Sequence, residues 1–397
     1  MSLSISERAS RTVQSEIRVM SIECEKVKGI NLAQGVCDTE VPESVREGAK
    51  RAIDSGINSY TRADGLAEIR QAIAGKMRRS NGIECDPETE IIVSAGSTGS
   101  FYAACLALLN PGDEVVLFEP YYGYHFNTLL AVEAVPLFVT LQSPNWDFTP
   151  EDLERAVSPR TRGIMLNSPA NPSGKIFTRQ ELEWIAAFAQ KHDLFVFTDE
   201  IYEYFVYEGR HISPATLPGM WERTITISGY SKTFSITGWR IGYSIADRKW
   251  TQAMSYFNDL VYVCAPAPLQ IGVAQGILKL PESFYQQISK DYVKKRDLLC
   301  GTLKEVGLTP SVPKGAYYVL ADASTLPGKT SKEKSMFLLR ETGVASVAGS
   351  AFYHGSGGEN LLRFCFAKTD AELEQACRQL SGLTQKIGEQ KMLSHTR

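Results

Sequence analysis

The sequence lacks several features that mark broad classes of protein. It has no apolar run long enough to cross a membrane, and its first residues form no continuous apolar stretch that could serve as a signal peptide. Its eight cysteines are scattered singly, without a CxxC pair or a histidine at zinc-finger spacing. A net charge of −3 leaves no concentrated basic face for nucleic acid or an anionic membrane. We therefore expect a soluble, cytoplasmic protein without a metal site, whose thiols are free and mostly buried.

The sequence does contain enough apolar material for two lobes. Its 397 residues are 43% hydrophobic and 22% charged, which allows one large core and a smaller one. Short apolar runs recur without clear alternation, and helical patterns lie between several of them, which favours a mainly parallel sheet covered on both faces. The predicted fold is therefore α/β, with seven strands near residues 91–93, 115–118, 137–139, 164–166, 194–197, 224–227 and 241–245.

The pattern changes in the last third of the chain. A long charged helix is predicted after about residue 281, followed by strands and helices that alternate irregularly. This order favours a second, smaller α+β lobe. We expect the N-terminal segment to join that lobe, so the predicted divisions are 1–45 for this segment, 46–281 for the large domain and 282–397 for the small domain.

Polar segments follow four of the predicted strands. In open α/β sheets, ligands bind in the crevice outside the carboxyl ends of the strands. These separate segments are therefore expected to converge on one crevice. They are residues 96–99, 167–174, 199–202 and 228–232.

The segment Ser-Gly-Tyr-Ser-Lys-Thr-Phe-Ser-Ile-Thr-Gly-Trp-Arg-Ile-Gly-Tyr, residues 228–243, is the most informative of these. Lys232 lies in a turn rich in glycine and hydroxyl groups, where a lysine can form an imine. Ser231 and Arg240 offer a hydroxyl and a guanidinium that can hold a phosphate beside it. The segment resembles the lysine-bearing signature of class I aminotransferases, which are pyridoxal-phosphate enzymes of fold type I. The resemblance covers about residues 30–380, with several motifs in the same order.

The resemblance implies that pyridoxal 5'-phosphate is bound through a Schiff base to Lys232. The freed amine would then move the α-proton of the substrate, first as a general base and then as a general acid. An unperturbed lysine has a pKa of about 10.4 and is almost fully protonated at neutral pH. Neighbouring positive charge and desolvation must therefore favour the neutral amine.

Two motifs are expected to hold the cofactor ring. Asp199 ends a strongly apolar strand, where a carboxylate is costly unless it is paired, and a protonated pyridine nitrogen would be a suitable partner. Glu200 could compete for this role, but the resemblance to the D-E-x-Y element selects Asp199 and implies that Tyr202 donates to the phenolic oxygen. The N-P-x-G loop similarly implies that Asn171 bonds this oxygen and contacts the substrate carboxylate.

A third motif offers an anion site. Ser97 and Thr98 belong to a Gly-Ser-Thr-Gly loop that precedes a helical run, so its backbone N–H groups can gather around an anion. With Ser231 and Arg240 this loop would complete a phosphate cup. The resemblance also places Tyr122 flat on the pyridine ring, where offset stacking is favourable.

Three further residues are assigned to substrate and partner contacts. Arg363 alternates with apolar residues on a strand and suits a bidentate fork for the substrate α-carboxylate, although a surface ion pair on an edge strand is an alternative. The resemblance makes it the main carboxylate anchor, with the backbone of Gly35 facing it. It also implies that Tyr60 reaches the phosphate of a neighbouring subunit, which predicts a homodimer with shared sites.

The reaction predicted first is transamination of an L-amino acid to a 2-oxo acid. The same scaffold and lysine also serve carbon–sulfur β-lyases and cyclopropane-forming synthases, so a β-lyase is the alternative. Fewer than about 35 residues precede Asn31, too few for the DNA-binding module of a ligand-sensing regulator. Thr98 is neutral where some relatives that prefer dicarboxylates carry a basic residue. Aromatic or large apolar amino acids are the expected substrates, with an apolar pocket lined by Tyr122, Tyr124, Phe352 and Tyr353.

Overall fold

The computed structural model describes residues 3–12, 15–37 and 39–386. The strands are β1 (Ile30–Asn31), β2 (Ile91–Ala95), β3 (Glu114–Glu119), β4 (Val135–Thr140), β5 (Thr161–Asn167), β6 (Phe195–Asp199), β7 (Thr224–Gly229), β8 (Ile241–Ile245), β9 (Thr309–Ser311), β10 (Tyr318–Asp322), β11 (Val344–Ala345), β12 (Val347–Ala348) and β13 (Leu361–Cys365). The α-helices are α1 (Glu7–Arg11), α2 (Glu16–Lys26), α3 (Glu43–Asp54), α4 (Ala67–Lys76), α5 (Gly96–Leu108), α6 (Gly123–Ala131), α7 (Pro150–Ala156), α8 (Arg179–Lys191), α9 (Arg248–Tyr262), α10 (Ala267–Lys279), α11 (Glu282–Glu305), α12 (Ser331–Thr342) and α13 (Asp370–Ser381).

The seven predicted strands form one seven-stranded sheet. Its order is β2-β8-β7-β6-β5-β3-β4. Strands β7, β6, β5, β3 and β4 are parallel to one another, whereas β8 runs antiparallel to both β2 and β7. The prediction of a mainly parallel sheet in an α/β fold is therefore confirmed.

The strands lack alternation because both faces of the sheet are covered. In β3, Val115 packs into the core that contains Phe101 of α5, whereas Val116 packs into the opposite core, which contains Leu182 of α8. Every residue of β3 is buried. A sheet buried on both faces selects apolar residues at successive positions, which explains the continuous apolar runs in the sequence.

The C-terminal part forms a second, smaller sheet, of order β12-β13-β10-β9, in which neighbouring strands are antiparallel. Strand β1, near the N-terminus, pairs in parallel with β11. The N-terminal segment thus contributes to the C-terminal part of the molecule. Strand β13 lies between two neighbours, so the alternative that Arg363 belongs to an edge strand is wrong.

The predicted Gly-Ser-Thr-Gly loop is instead the first turn of a helix. Helix α5 begins at Gly96, directly after β2. Gly96 has a φ of +78°, a conformation that glycine adopts without the steric cost of a Cβ. The strand therefore passes into the helix at this one residue, and Ser97 and Thr98 lie in the first helical turn.

The cysteines follow the expectation from their spacing. None of the eight forms a disulfide, and six of them are buried. Across residues 3–12, 15–37 and 39–386, the structure has no helix with both the length and the apolarity needed to cross a membrane.

The close approach of β8 to α5 gives a testable prediction. A Cβ on Gly242 would lie 2.3 Å from the backbone nitrogen of Ser97 and 2.4 Å from the carbonyl carbon of Gly96. Because backbone atoms cannot move aside cheaply, we expect Gly242→Ala to lower the free energy of unfolding by about 2 kcal/mol or more. Urea unfolding followed by circular dichroism measures this change.

The control is Gly301→Ala on α11. A Cβ on Gly301 would meet no atom within 4 Å, and glycine is unfavourable inside a helix. This variant should be more stable by about 0.5–1 kcal/mol. Unchanged unfolding of Gly242→Ala would contradict the packing argument.

Candidate active site

A cleft of about 580 Å³ opens where β5, β6 and β7 end. Side chains from helices α2 and α5 and from the segment after Asn31 form its other walls. The predicted convergence of polar segments is observed, since ten of the predicted site residues line this one cleft. They are Gly35, Ser97, Thr98, Tyr122, Asn171, Asp199, Tyr202, Ser231, Lys232 and Arg240.

The lysine of this cleft lies in an environment that favours its neutral form. The Nζ atom of Lys232 donates to the carbonyl oxygen of Gly35 at 3.3 Å. Burial lowers the pKa of Lys232, and the positive charge of Arg240 lowers it further, against the opposing charge of Asp199. Within the described residues, Lys232 forms no ion pair with a carboxylate. A neutral amine is the form that attacks an aldehyde or accepts a proton.

Asp199 is a buried carboxylate at the last position of β6. Its Oδ2 lies 3.0 Å from Nε2 of His125, and its Oδ1 accepts a hydrogen bond from the backbone N–H of Ile201 at 3.2 Å. In the part of the chain that the structure describes, neither lysine nor arginine pairs with it. A cationic group placed in the cleft would therefore compensate a charge that is costly to bury.

Glu200 competes with Asp199 in the sequence but not in the structure. Its carboxylate accepts hydrogen bonds from Ser213 at 2.8 Å and Thr198 at 3.2 Å, and it lies 2.7 Å from Nε2 of His211. The side chain is buried and does not line the cleft. Of the two adjacent carboxylates, only that of Asp199 is available to a ligand.

Two tyrosines supply hydroxyl groups next to Asp199. The Oη atoms of Tyr202 and Tyr318 lie 3.1 Å apart. Burial raises the pKa of Tyr202 well above its ordinary value, so its hydroxyl stays protonated and can donate a hydrogen bond. Asn171 lines the same wall, and its backbone N–H donates to Oδ1 of Asn167 at 2.7 Å, which fixes the loop.

Arg363 lies directly behind Asn171. Its Nη1 donates to Oδ1 of Asn171 at 2.9 Å, and its Nη2 donates to the carbonyl oxygen of Ala33. The guanidinium is fully buried and lies 4.4 Å from the centre of the Tyr318 ring. Its Nε has no hydrogen-bond partner, and no carboxylate of the described residues pairs with Arg363. A buried, unneutralised guanidinium of this kind is suited to a carboxylate ligand.

The opposite end of the cleft gathers donors suited to an anion. Ser97 and Thr98 lie in the first turn of α5, where backbone N–H groups have no partner within the helix. A Cβ on Gly96 would lie 2.3 Å from Nη2 of Arg240, so glycine permits the guanidinium to lie over this helix terminus. Ser231 is buried at the same end of the cleft. Together these groups could hold a phosphate.

The aromatic residues divide into two groups. The rings of Tyr122 and Tyr124 are stacked at 5.3 Å, and both residues line the cleft. Phe352 is buried against the Arg363 guanidinium at 5.0 Å and does not line the cleft, nor does Tyr353. The expectation that all four line one apolar pocket is therefore met by Tyr122 and Tyr124 alone, because the other two pack in the smaller lobe. Tyr60 is 83% exposed and lies outside the cleft.

Sequence reasoning missed two residues of this site. His125 contacts Asp199 and packs edge-on against Tyr122, with ring centres 5.2 Å apart. It lies three residues after Tyr122, a spacing that places both at the start of α6 and could have revealed it. No local motif marks Tyr318, because its contacts with Tyr202 and Arg363 join segments far apart in the sequence.

These residues fit pyridoxal phosphate. The cofactor needs a neutral amine, an acid for the ring nitrogen, donors for the phenolic oxygen and an anion cradle. The cleft offers an amine of lowered pKa, a buried carboxylate without a lysine or arginine partner among the described residues, and a protonated tyrosine. The anion cradle is offered by the first turn of α5 together with Arg240, which can lie over this helix terminus because residue 96 is glycine.

The chain belongs to the aminotransferase class I and II family, which it matches over residues 27–380. Members of this family are pyridoxal-phosphate-dependent enzymes, so the protein is an aminotransferase of fold type I. It is similar to aromatic-amino-acid aminotransferase 2 of Thermococcus litoralis, with 35% identity over 94% of this chain and 96% of the relative. It is also 35% identical to kynurenine–oxoglutarate transaminase 3 of Rattus norvegicus, over 87% of this chain and 83% of the relative.

A solved structure agrees with this assignment. The N-succinyldiaminopimelate aminotransferase from Mycobacterium tuberculosis superimposes with a TM-score of 0.92 and 34% identity, over 96% of this chain and all of that chain. The named relatives act on different amino acids. The family therefore establishes the class of reaction and the cofactor. It does not establish which amino acid donates the amino group, and that depends on the residues of the cleft.

The contact between His125 and Asp199 yields a prediction about cofactor affinity. We expect His125→Leu to raise the dissociation constant of pyridoxal phosphate about tenfold, because a hydrogen bond to a buried carboxylate contributes about 1.5–3 kcal/mol. Absorbance titration of the apoenzyme measures it without turnover. His192→Leu is the control, since His192 pairs with Glu154 at 3.0 Å outside the cleft. This variant should bind pyridoxal phosphate with the native affinity. Equal affinities of the two variants would contradict the role of His125.

Proposed function

We propose that this aminotransferase moves the amino group of an aromatic or large apolar L-amino acid to a 2-oxo acid. The observation that carries the proposal is the joint placement of Lys232, Asp199 and Arg363. An amine of lowered pKa lies in one cleft with a buried carboxylate, and a buried guanidinium without an acidic partner among the described residues lies behind its wall. This set matches a cofactor aldehyde, a cofactor ring nitrogen and a substrate carboxylate.

In the proposed mechanism, Lys232 anchors the cofactor and moves the proton of the reaction. When bound, the cofactor provides an electron sink for the bond that breaks at the α-carbon of the substrate. Once the amino group of the substrate has replaced it on the cofactor aldehyde carbon, the Nζ of Lys232 would accept the α-proton as a neutral amine and would then donate that proton to this same carbon. Burial and the charge of Arg240, which lower the pKa of Lys232, keep the amine ready for this task.

Four residues are proposed to contact the cofactor ring and its phenolic oxygen. Asp199 pairs with the ring nitrogen, and His125 orients the aspartate carboxylate through their 3.0 Å contact. Tyr202 and Asn171 donate to the phenolic oxygen, while Tyr122 covers one face of the ring. The phosphate is assigned to donors from α5 and from the lysine segment, namely Ser97, Thr98, Ser231 and Arg240.

Arg363 is proposed to bind the α-carboxylate of the substrate. The adjoining wall has room only for glycine at position 35, because the hydroxyl of Tyr318 would lie 1.8 Å from a Cβ on Gly35. The bond between Arg363 and Asn171 directs the guanidinium toward the cleft wall. A fixed carboxylate orients the α-carbon relative to Lys232, which is the positioning that this type of catalysis requires.

The lining of the cleft mouth supports the proposed donor class. The stacked Tyr122 and Tyr124 rings provide a flat apolar surface, and Ile17 and Ile22 of α2 line the same cleft. Thr98 carries no positive charge for a second carboxylate. The named relatives are aminotransferases, one of them for aromatic amino acids, which favours transamination over β-elimination.

A panel of amino donors tests this substrate class. With 2-oxoglutarate as acceptor, we expect kcat/KM for phenylalanine, tyrosine or tryptophan to exceed that for aspartate by about tenfold or more. Loss of the visible absorbance of the bound cofactor measures the donor half-reaction. Cystathionine without added oxo acid is the control and should release no pyruvate. A preference for aspartate would contradict the donor class, and pyruvate release would favour the β-lyase.

We also propose that the enzyme is a homodimer in which Tyr60 serves the site of the neighbouring subunit. The loop of Tyr60 packs on α9, where Asn258 donates to the carbonyl oxygen of Ala63. Next to it α9 exposes the apolar side chains of Tyr256 and Leu260, by 66% and 79%. An exposed apolar face of this kind is typical of an interface, and helix α9 packs against α5, whose first turn belongs to the proposed phosphate site.

A mixed dimer tests the sharing of sites. The Lys232→Ala and Tyr60→Ala dimers should each be inactive or strongly impaired. In a mixed dimer purified through two different tags, one site would contain both native residues, so about half of the native activity should return. If Tyr60 serves its own subunit, or if the protein is monomeric, no activity will return.

The domain limits and the location remain proposals. We place residues 1–45 with the small domain 282–397, which the pairing of β1 with β11 supports, and assign 46–281 to the large domain. Eight cysteines that form no disulfide favour a reducing compartment such as the cytoplasm.

A further inference from the structure

A pair of buried, oppositely charged side chains lies behind the Asp199–Tyr202 turn. The Nζ atom of Lys76, at the end of α4, lies 2.5 and 2.6 Å from the two carboxylate oxygens of Glu203. Their side chains are only 3% and 6% exposed, and neither residue lines the cleft. Asn81 and Ser228 donate to the same carboxylate at 2.9 and 3.3 Å. The pair is therefore fully enclosed and fully hydrogen-bonded.

A second pair lies beside the first. Nε2 of His211 is 2.7 Å from the carboxylate of Glu200. Burial alone would lower the pKa of His211, but the carboxylates of Glu200 and Glu203 outweigh it and raise the pKa above its ordinary value. With His211 protonated, the cluster contains two cations, His211 and Lys76, and two carboxylates. Its charges are balanced, which is the condition under which charged groups tolerate burial.

The cluster is connected to the site through the backbone of the turn. Asp199 and Tyr202 point into the cleft, whereas Glu200 and Glu203 point into the cluster. The N–H of Glu203 donates to the carbonyl oxygen of Glu200 at 3.0 Å, and the hydroxyl of Ser228 donates to that oxygen at 3.3 Å. A displacement of Glu200 or Glu203 would therefore also displace Asp199 and Tyr202, because all four residues belong to the same turn.

We propose that Lys76 and Glu203, balanced by Glu200 and His211, are positioning residues that hold the Asp199–Tyr202 turn and set the electrostatic field at the cofactor end of the cleft. The inference rests on the proposed roles of Asp199 and Tyr202. None of the four cluster residues touches the substrate space, so they act through the turn. An uncompensated charge left in the cluster would act on the cofactor through a low-dielectric interior, where screening is weak.

The test uses the resting holoenzyme, without substrate. The pH midpoint at which the visible absorbance of the bound cofactor changes is measured for Lys76→Gln, Glu203→Gln and the double variant. Lys76→Gln leaves a negative charge behind the turn, which favours protonation of the cofactor and should raise the midpoint by about half a pH unit. Glu203→Gln leaves a positive charge and should lower it by a similar amount. The double variant should return close to the native midpoint.

The matched control is Glu114→Gln, at the start of β3. Glu114 is buried and paired with Arg160 at 2.7 Å, but it lies at the amino end of a strand, away from the cleft. Its loss should affect stability and leave the midpoint unchanged. A merely structural role of the cluster would lower the melting temperature of the variants without moving their midpoints in opposite directions, and that result would overturn the proposal.

The direction in which the pH midpoint moves is predicted separately for Lys76→Gln and for Glu203→Gln. The proposal can therefore be tested even if only one of these two variants folds. If the native enzyme shows a midpoint and the variants share it, the cluster proposal fails while the proposed function stands. If the native enzyme binds no cofactor with visible absorbance, the proposed function fails and the cluster proposal fails with it.

Discussion

The structure depends on charges that are buried without neutralising partners. Lys232 and Arg363 lie in or directly behind one cleft, and in the described part of the chain neither of them pairs with a carboxylate. Asp199 is the opposite case, a buried carboxylate that pairs with His125 alone among these residues. Burying unpaired charge is costly, so a fold retains such groups where a ligand completes them. A zwitterionic substrate and an anionic, ring-bearing cofactor have complementary charges.

The sheet brings these charges together. Parallel strands end at the same edge, so residues that follow β5, β6 and β7 become neighbours although the sequence separates them. The antiparallel strand β8 then returns toward α5, and Gly242 allows its backbone to approach the first turn of that helix. Lys232 and the first turn of α5 thereby line the same cleft.

The smaller sheet contributes the guanidinium that lies behind the cleft. Arg363 is carried by β13, in the middle of a sheet whose neighbouring strand β10 begins at Tyr318. The guanidinium is thus clamped between the Tyr318 and Phe352 rings, and it reaches the large sheet through Asn171. Because Lys232 follows a strand of the large sheet and Arg363 lies in the smaller sheet, the packing of one sheet on the other sets the distance between the amine and the guanidinium.

The sequence alone determined the class of fold, the cofactor and ten of the residues that line the cleft. These follow from local patterns, namely apolar runs, glycine positions and short motifs such as the one around Lys232. Only the tertiary structure decided that Glu200 faces away from the cleft, that Arg363 lies in an interior strand, and that His125 and Tyr318 complete the site. These facts depend on contacts between segments far apart along the chain, and on which face of a turn meets the cleft, neither of which a local pattern encodes.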